Sequence, residues 1–289
     1  FIPEKPVKLE MNERKEESLE LIDYGKTPVF IENLRFDHNN ISFFIKPPCS
    51  NIRKSNIRNA FIIFGEKFKI IKFKETFSIN ADILIECPNK EIIIGGSNFA
   101  AGEGGPYKII NTTKFRIIKE GRIFLYKDEQ CKTPIVGIHE IGHVFGFNHS
   151  LNKKSIMYNT TRCDQKITPD MVEIINNLYS IKPLPDATIY NISSVKKGRY
   201  LDFNITLVNE GLTLIENISL TISSENKEIE KIYFGEIDVG YARTLRVTNM
   251  ALPSRNLKTI EFTIDKEKNV IELDEKNNFA EMIIASSRS

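Results

Sequence analysis

The stretch TPIVGIHEIGHVFGFNHS, residues 133–150, holds three of the four histidines in a chain of 289 residues. It opens as a helix would, with Thr133 as N-cap and Pro134 at the first helical position. Ile135, Ile138, Ile141, Val144 and Phe145 give that helix a wide apolar surface, so it is predicted to be largely buried. His139 and His143 then stand one turn apart and project from the same face. Gly146 supplies the positive φ that turns a chain at a helix end, which lets His149 swing back toward the other two.

Three neutral imidazoles suit Zn²⁺ and leave it one open position, the arrangement of a catalytic rather than a structural site. Glu140 lies about 100° round the helix from His139, too offset to join as a ligand. It is placed instead as general base toward an activated water, returning the proton to a leaving amine. The competing reading is a set of ordinary core histidines on an apolar helix. At this histidine frequency the full HExxHxxGxxH spacing arises by chance on the order of once in 10⁵ chains or less, and the zinc reading wins.

The rest of the chain sets the context. Hydrophobic content of 41% and charged content of 27% fit a soluble globular protein, and the length suits two domains. Residues 1–180 carry 26 Lys/Arg against 22 Asp/Glu, and residues 181–289 carry 14 against 16. Neither half has the basic field that nucleic acid would require. No apolar run reaches the roughly 18–20 residues of a membrane span. The chain opens at Phe1, so an export signal or anchor is expected to have been removed upstream.

Cys49, Cys87, Cys131 and Cys163 all fall before residue 164. Two disulfides in an oxidising compartment are expected, against four free core cysteines in a reducing one. Of the three pairings, Cys131–Cys163 is favoured because it flanks the histidine cluster, which leaves Cys49–Cys87. Asn-x-Ser/Thr sequons at Asn40, Asn111, Asn148, Asn159, Asn191, Asn204 and Asn217 point the same way, to an extracellular or cell-surface location.

Along the chain, residues 1–28 read as an N-terminal arm or linker. Residues 29–181 alternate strands and helices. NNISFFIK is a strand, and SNIRKSNIRNAFIIFG a helix with Ile52, Ile57, Ala60, Phe61 and Phe64 on one face and Gly65 at its stop. FKIIKFKET, ADILIEC and EIIIGG follow as strands, then a Gly-rich loop over 95–107 and strands around YKII and RIFLY. After the histidine helix, TPDMVEIINNLY from Thr168 packs through Val172, Ile175, Leu178 and Tyr179. Residues 182–289 have no Cys or His and show short alternating strands, with Leu201, Phe203, Ile205 and Leu207 on one side and Ile218, Leu220 and Ile222 on another. Turn signals every ten residues or so mark a β-sandwich.

HEIGHVFGFNHS followed by SIMY resembles the long zinc motif and methionine turn of the metzincin zinc peptidases. Ser150 after the third histidine, Tyr158 after the methionine and the TPDMVEIINNLYS helix resemble the matrixin branch. The resemblance implies that Met157 floors the zinc histidines and that an edge strand near Gly105–Ile110 binds the substrate backbone. It also implies an S1′ wall over Tyr158–Arg162, with Tyr158, Asn159 and Thr160 as its leading residues. Animal matrixins carry further histidines for a second, structural zinc, and here only His38 is left over, expected as a surface residue. NEGLTLIENISLTI and NVIELDEKNNFAEMII are similar to CARDB, an Ig-like, cell-adhesion-related module of prokaryotic surface proteins. In its ending, Glu272, Asp274, Glu275, Asn277 and Asn278 either form a turn bonded to its own backbone or hold a Ca²⁺ ion among hard oxygen donors.

The resemblances imply an α+β chain: a metzincin catalytic domain of mixed twisted sheet plus active-site helix, then an all-β Ig-like sandwich. They also imply a prokaryotic, and more narrowly archaeal, source. The expected function is a secreted or surface-attached zinc endopeptidase, monomeric, acting on peptide or protein and attached to the cell envelope through its C-terminal domain. The alternative is a surface adhesion or structural protein whose zinc site is non-catalytic.

Overall fold

A computed structural model of the chain describes residues 26–89 and 100–283. Most of the expected N-terminal arm, the EIIIGG strand and the first part of the Gly-rich loop lie outside the described residues. The chain divides into two compact units, Phe1–Ile109 with Ile118–Ile181, and Ile110–Ile117 with Lys182–Ser289.

The first unit is built on one mixed sheet. Its elements are β1 (Leu34–Phe36), β2 (Asn40–Ile45), α1 (Asn51–Phe68), β3 (Lys72–Glu75), β4 (Ile83–Glu86), β5 (Gly102–Asn111) and β6 (Arg116–Leu125) apart from their hairpin end at 110–117, α2 (Ile135–Val144) and α3 (Pro169–Ser180). The strand order is β1-β6-β4-β2-β3, with β5 also paired to β6. β2 runs parallel to both β3 and β4, and β4 parallel to β6. Parallel strands need a crossover, and α1 supplies the one between β2 and β3.

α1 buries Ile57, Ala60, Phe61, Phe64 and Phe68. Phe61 stacks on Phe43 of β2 with centroids 4.0 Å apart, and Phe64 lies 5.3 Å from Phe145 at the end of α2. Two details differ from the sequence reading. Ile52 is 59% exposed, because it lies five residues before Ile57 and so about 140° round the helix from the packed stripe. Gly65 does not stop the helix, because burial of Phe68 carries the apolar period one turn further; Lys69 ends it at φ +51. In α3 the packing stripe is centred on Met171, Ile175 and Tyr179, with Val172 and Leu178 half-buried beside it.

Arg35 of β1 is fully buried, and it anchors the end of α3. Its guanidinium donates to the carbonyls of Leu178 and Ile181 and lies 4.7 Å from the Tyr179 ring centroid. The Tyr179 hydroxyl accepts the Phe36 N–H at 2.9 Å.

The second unit is a two-sheet sandwich made of β7 (Ala187–Lys197), β8 (Tyr200–Asn209), β9 (Ser219–Ser224), β10 (Lys227–Tyr233), β11 (Ala242–Ala251), β12 (Thr259–Ile264) and β13 (Phe279–Ile283). One sheet has the order β10-β9-β12-β13 and the other β11-β8-β7, all antiparallel. Leu201, Phe203, Ile205 and Leu207 of β8 are buried, as are Leu220 and Ile222 of β9 and Ile260, Phe262 and Ile264 of β12. Phe203 meets Phe262 edge-on across the core at 5.4 Å, the alternation that a sandwich requires. No helix among the described residues is long and apolar enough to cross a membrane.

Candidate metal centre

α2 is buried on every side but one. Ile135, Val136, Gly137, Ile138, Glu140, Ile141, Gly142 and Val144 are enclosed, and His139 and His143 share the remaining face. The helix begins one residue later than the sequence suggested. Pro134 is its cap residue and makes no side-chain cap bond, so Thr133 is not the N-cap. The capping oxygen comes from further back: Glu129 Oε2 accepts the Val136 N–H at 2.8 Å, and Oε1 accepts those of Gln130 and Cys131 at 3.0 Å. A carboxylate at a helix N-terminus meets both the free N–H groups and the positive end of the helix dipole.

Gly146 takes φ +90 and lies against Leu34, where an added Cβ would stand 2.8 Å from Cδ2. The turn it makes is strapped by the chain entering the domain. The Phe30 N–H donates to the Gly146 carbonyl at 3.0 Å, and the Asn148 N–H to the Pro28 carbonyl at 2.7 Å. His149 follows, and the three imidazoles converge with ligand atoms all within 4.8 Å of one another. His143 Nε2 is 3.0 Å from His139 Nε2 and 3.3 Å from His149 Nε2.

The proton positions follow from the outer ring nitrogens. His139 Nδ1 sits 2.7 Å from the Ile156 carbonyl and His143 Nδ1 2.8 Å from the Phe147 carbonyl. A carbonyl only accepts, so each Nδ1 carries the proton and each Nε2 presents a bare lone pair. Burial holds His139 down to about 3, with His143 adding repulsion, and burial holds His143 down to about 4. His149 is lowered by burial as well. Lone pairs this close repel unless a cation lies between them, and protonation is not the means here. The donor set therefore fits a divalent metal such as zinc.

Met157 and Ser150 complete the frame. Met157 is fully buried, and its Sδ would lie 2.4 Å from a Cβ on Gly142, so the thioether occupies the space left by the missing side chain one residue before His143. The Ser150 N–H donates to the Met157 carbonyl at 2.8 Å, and the Ser155 hydroxyl accepts the Met157 N–H at 3.2 Å. Glu140 is 5% exposed and presses against β5, where a Cβ on Gly104 would come 2.3 Å from the Glu140 carbonyl oxygen. Burial pushes its carboxyl up to about 8, the Glu103 charge pushes the same way, and a hydrogen bond from the Gly104 N–H opposes both. A cation at the imidazoles would favour the ionised form further.

Tyr158 follows the methionine turn half-buried, while Asn159, Thr160, Thr161 and Arg162 are exposed. Buried Gln165 holds this loop, donating to the Thr160 carbonyl at 2.8 Å and accepting the Arg162 N–H at 3.0 Å. Cys131 is bonded to Cys163 and Cys49 to Cys87, the pairing that the sequence favours.

His38 lies apart from the cluster and is more than a surface residue. Its ring contacts Asp37 at 2.5 Å and Asp82 at 3.3 Å, and these bonds raise its pKa to about 9. In the second unit, Glu272 accepts the Ala187 N–H and the Asn278 amide, while the Asn277 amide bonds Asp186 at 2.7 Å and Thr188 at 2.8 Å. This is a hydrogen-bonded turn closing on β7. Among the described residues the histidine triad is the one group of three or more His, Cys, Asp or Glu with converging ligand atoms. Glu129, the strap at 28–30 and the packing of Gly104 on Glu140 are the supports the sequence reading missed.

Comparison with known proteins adds the family context. The matrixin family model matches residues 35–180, and the CARDB model matches 184–282. Stromelysin-2 of Rattus norvegicus is 38% identical over 66 residues, covering 21% of this chain and 14% of its own length. Among solved structures, the CARDB domain of a Pyrococcus furiosus protein, crystallised in complex with di-metal ions, aligns with a TM-score of 0.31 at 18% identity. It covers 35% of this chain and 88% of that one. A solution structure of the same domain gives 0.31 and 18%, covering 35% and 94%.

Proposed function

We propose, from the premise that this chain belongs to the matrixin family and carries a CARDB domain behind its matrixin domain, that it is a zinc-dependent endopeptidase acting outside the cell. One observation carries the proposal: three imidazoles converge through their Nε2 atoms, those of His139 and His143 left bare by carbonyls at Nδ1, on a helix that also carries a buried glutamate. His139, His143 and His149 would hold the ion. When bound, zinc supplies a Lewis-acid centre for an attacking water and the scissile carbonyl.

The chain's own residues do the rest. Glu140 accepts a proton from the attacking water at its carboxylate and returns it to the leaving amine nitrogen. Its buried setting keeps that proton from exchanging with solvent, and the Gly104 N–H fixes the orientation of the carboxylate. The carbonyls of Ile156 and Phe147 hold the two helix imidazoles in the tautomer a metal requires. Tyr158, Asn159 and Thr160 are assigned to the wall of the pocket for the residue after the scissile bond, and Met157 to its support beneath the histidines. Two disulfides and exposed asparagines at all seven sequons support an extracellular setting, with the CARDB domain as the attachment or adhesion element.

The test is cleavage of a broad peptide library with mass-spectrometric mapping of the products. Activity is expected to be abolished by a chelator, restored by zinc and lowered by several orders of magnitude in Glu140→Ala. Undiminished cleavage by Glu140→Ala would refute the mechanism. Tight zinc binding without turnover on any peptide would favour a surface protein whose metal only stabilises the fold.

A further inference from the structure

We propose that the outer face of the β5–β6 hairpin carries a specificity notch for one carboxamide side chain, Gln or Asn, of a bound peptide. The notch rests on the peptidase reading above and on β5 as the strand that pairs with the substrate backbone. β5 pairs with β6, and no described strand covers its other edge. An extended peptide added there sends alternate side chains to the two faces of the sheet.

The two faces of β5 differ. Gly102 and Gly104 face inward: a Cβ on either would collide with Glu140. By the two-residue period, Glu103, Gly105 and Tyr107 face outward, as do Arg122 and Phe124 of β6. Between these five outward residues lies a cavity of ≈ 180 Å³. A Cβ on Gly105 would meet no atom within 4 Å. A side chain from a neighbouring strand can therefore lie across Gly105 and reach β6, which any larger residue would prevent.

Two opposite charges line this space. The Arg122 guanidinium is fixed 3.3 Å from the Tyr107 ring centroid, with its Nε donating to Glu120 at 2.8 Å. Its two Nη groups make no hydrogen bond among the described residues. Glu103 is fixed by the Tyr126 hydroxyl, which donates to Oε2 at 2.7 Å and leaves Oε1 unengaged. An incoming carboxylate would be repelled by Glu103 and an incoming ammonium by Arg122. A carboxamide is neutral and offers an acceptor to the guanidinium and a donor to the carboxylate, so both bonds are charge-assisted. An apolar side chain would strip water from both charges and offer nothing in return.

The test measures binding of fluorescent hexapeptides to zinc-loaded Glu140→Ala protein, with Gln, Glu, Lys or Leu placed at one position at a time. At one position Gln is expected to bind about tenfold or more tightly than the other three. Glu103→Gln should move the preference there toward Glu. Gly105→Val should abolish it without lowering the urea midpoint of unfolding, since the added Cβ enters open space. Cleavage by the unsubstituted enzyme is read alongside. Peptides that are cleaved yet show no carboxamide preference at any position overturn the notch and leave the peptidase reading standing. A preference that survives Gly105→Val also overturns it. Peptides that are neither bound nor cleaved overturn both.

Discussion

Gly104 and Gly105 are neighbours in one strand, yet the fold assigns them opposite tolerances, and the difference can be worked out in advance. In Gly104→Ala the new Cβ would stand 2.3 Å from the Glu140 carbonyl oxygen and 2.9 Å from its Cα. The obstacle is backbone in a buried helix, with no side-chain end to rotate aside. Either β5 or α2 must move by roughly an ångström, and overpacking of this kind costs about 1–3 kcal/mol. In Gly105→Ala the Cβ meets nothing, so the folded state pays no penalty. The unfolded chain loses freedom, which stabilises the native state by about 0.4–1 kcal/mol. The two variants should therefore differ by roughly 1.5–4 kcal/mol. At a urea m-value of about 1–3 kcal/mol/M this separates their midpoints by about 1 M. Equilibrium urea unfolding of the zinc-free protein reads the difference directly. Peptidase assays of the folded, zinc-loaded variants should show kcat falling in Gly104→Ala, because the Gly104 N–H no longer reaches the Glu140 carboxylate. Equal midpoints for the two alanine variants would refute the placement of β5 on α2.

Two other predictions test the frame around the site. Hydrogen bonds from Asp37 and then Asp82 raise His38 to about 9, above its usual 6.5. Its contribution to stability is therefore complete below about pH 6.5 and lost as the pH rises through 9. His38→Gln should thus lower the urea midpoint at pH 6 and leave it nearly unchanged at pH 10; an equal loss at both pH values would show that the ring acts by packing alone. The Cys131–Cys163 bond closes a loop with a sequence separation of 32 that contains every proposed metal ligand. Replacing both with serine should destabilise the zinc-free protein by roughly 3–4 kcal/mol, measured by urea unfolding under non-reducing conditions. A loss of unfolding free energy below about 1 kcal/mol would mean that the other contacts hold the loop on their own.

What could be read from the sequence, and what could not, follows from how far apart the interacting residues lie along the chain. Helix geometry alone puts His139 and His143 on one face, and one glycine suffices to return His149, so the metal centre is a local property of eleven residues. The alternation of β8 is local too, and Leu201, Phe203, Ile205 and Leu207 are buried as it requires, whereas in β9 the serines and the threonine between Leu220 and Ile222 are buried as well. The supports are non-local. Glu129 caps α2 across seven residues, from a loop with no capping pattern of its own, which is why Thr133 looked like the cap. Phe30 and Gly146 are joined by a hydrogen bond between segments more than a hundred residues apart, and nothing in the sequence around residue 30 announces that bond. The glycines of β5 fall between these cases. The run GEGG shows that alternate positions lack side chains, and the two-residue period then divides Gly102 and Gly104 from Gly105. The sequence leaves open which set meets the helix. Once α2 is placed against Gly104, the period requires Gly105 to face outward, and a single absent side chain becomes an opening on the other side of the sheet.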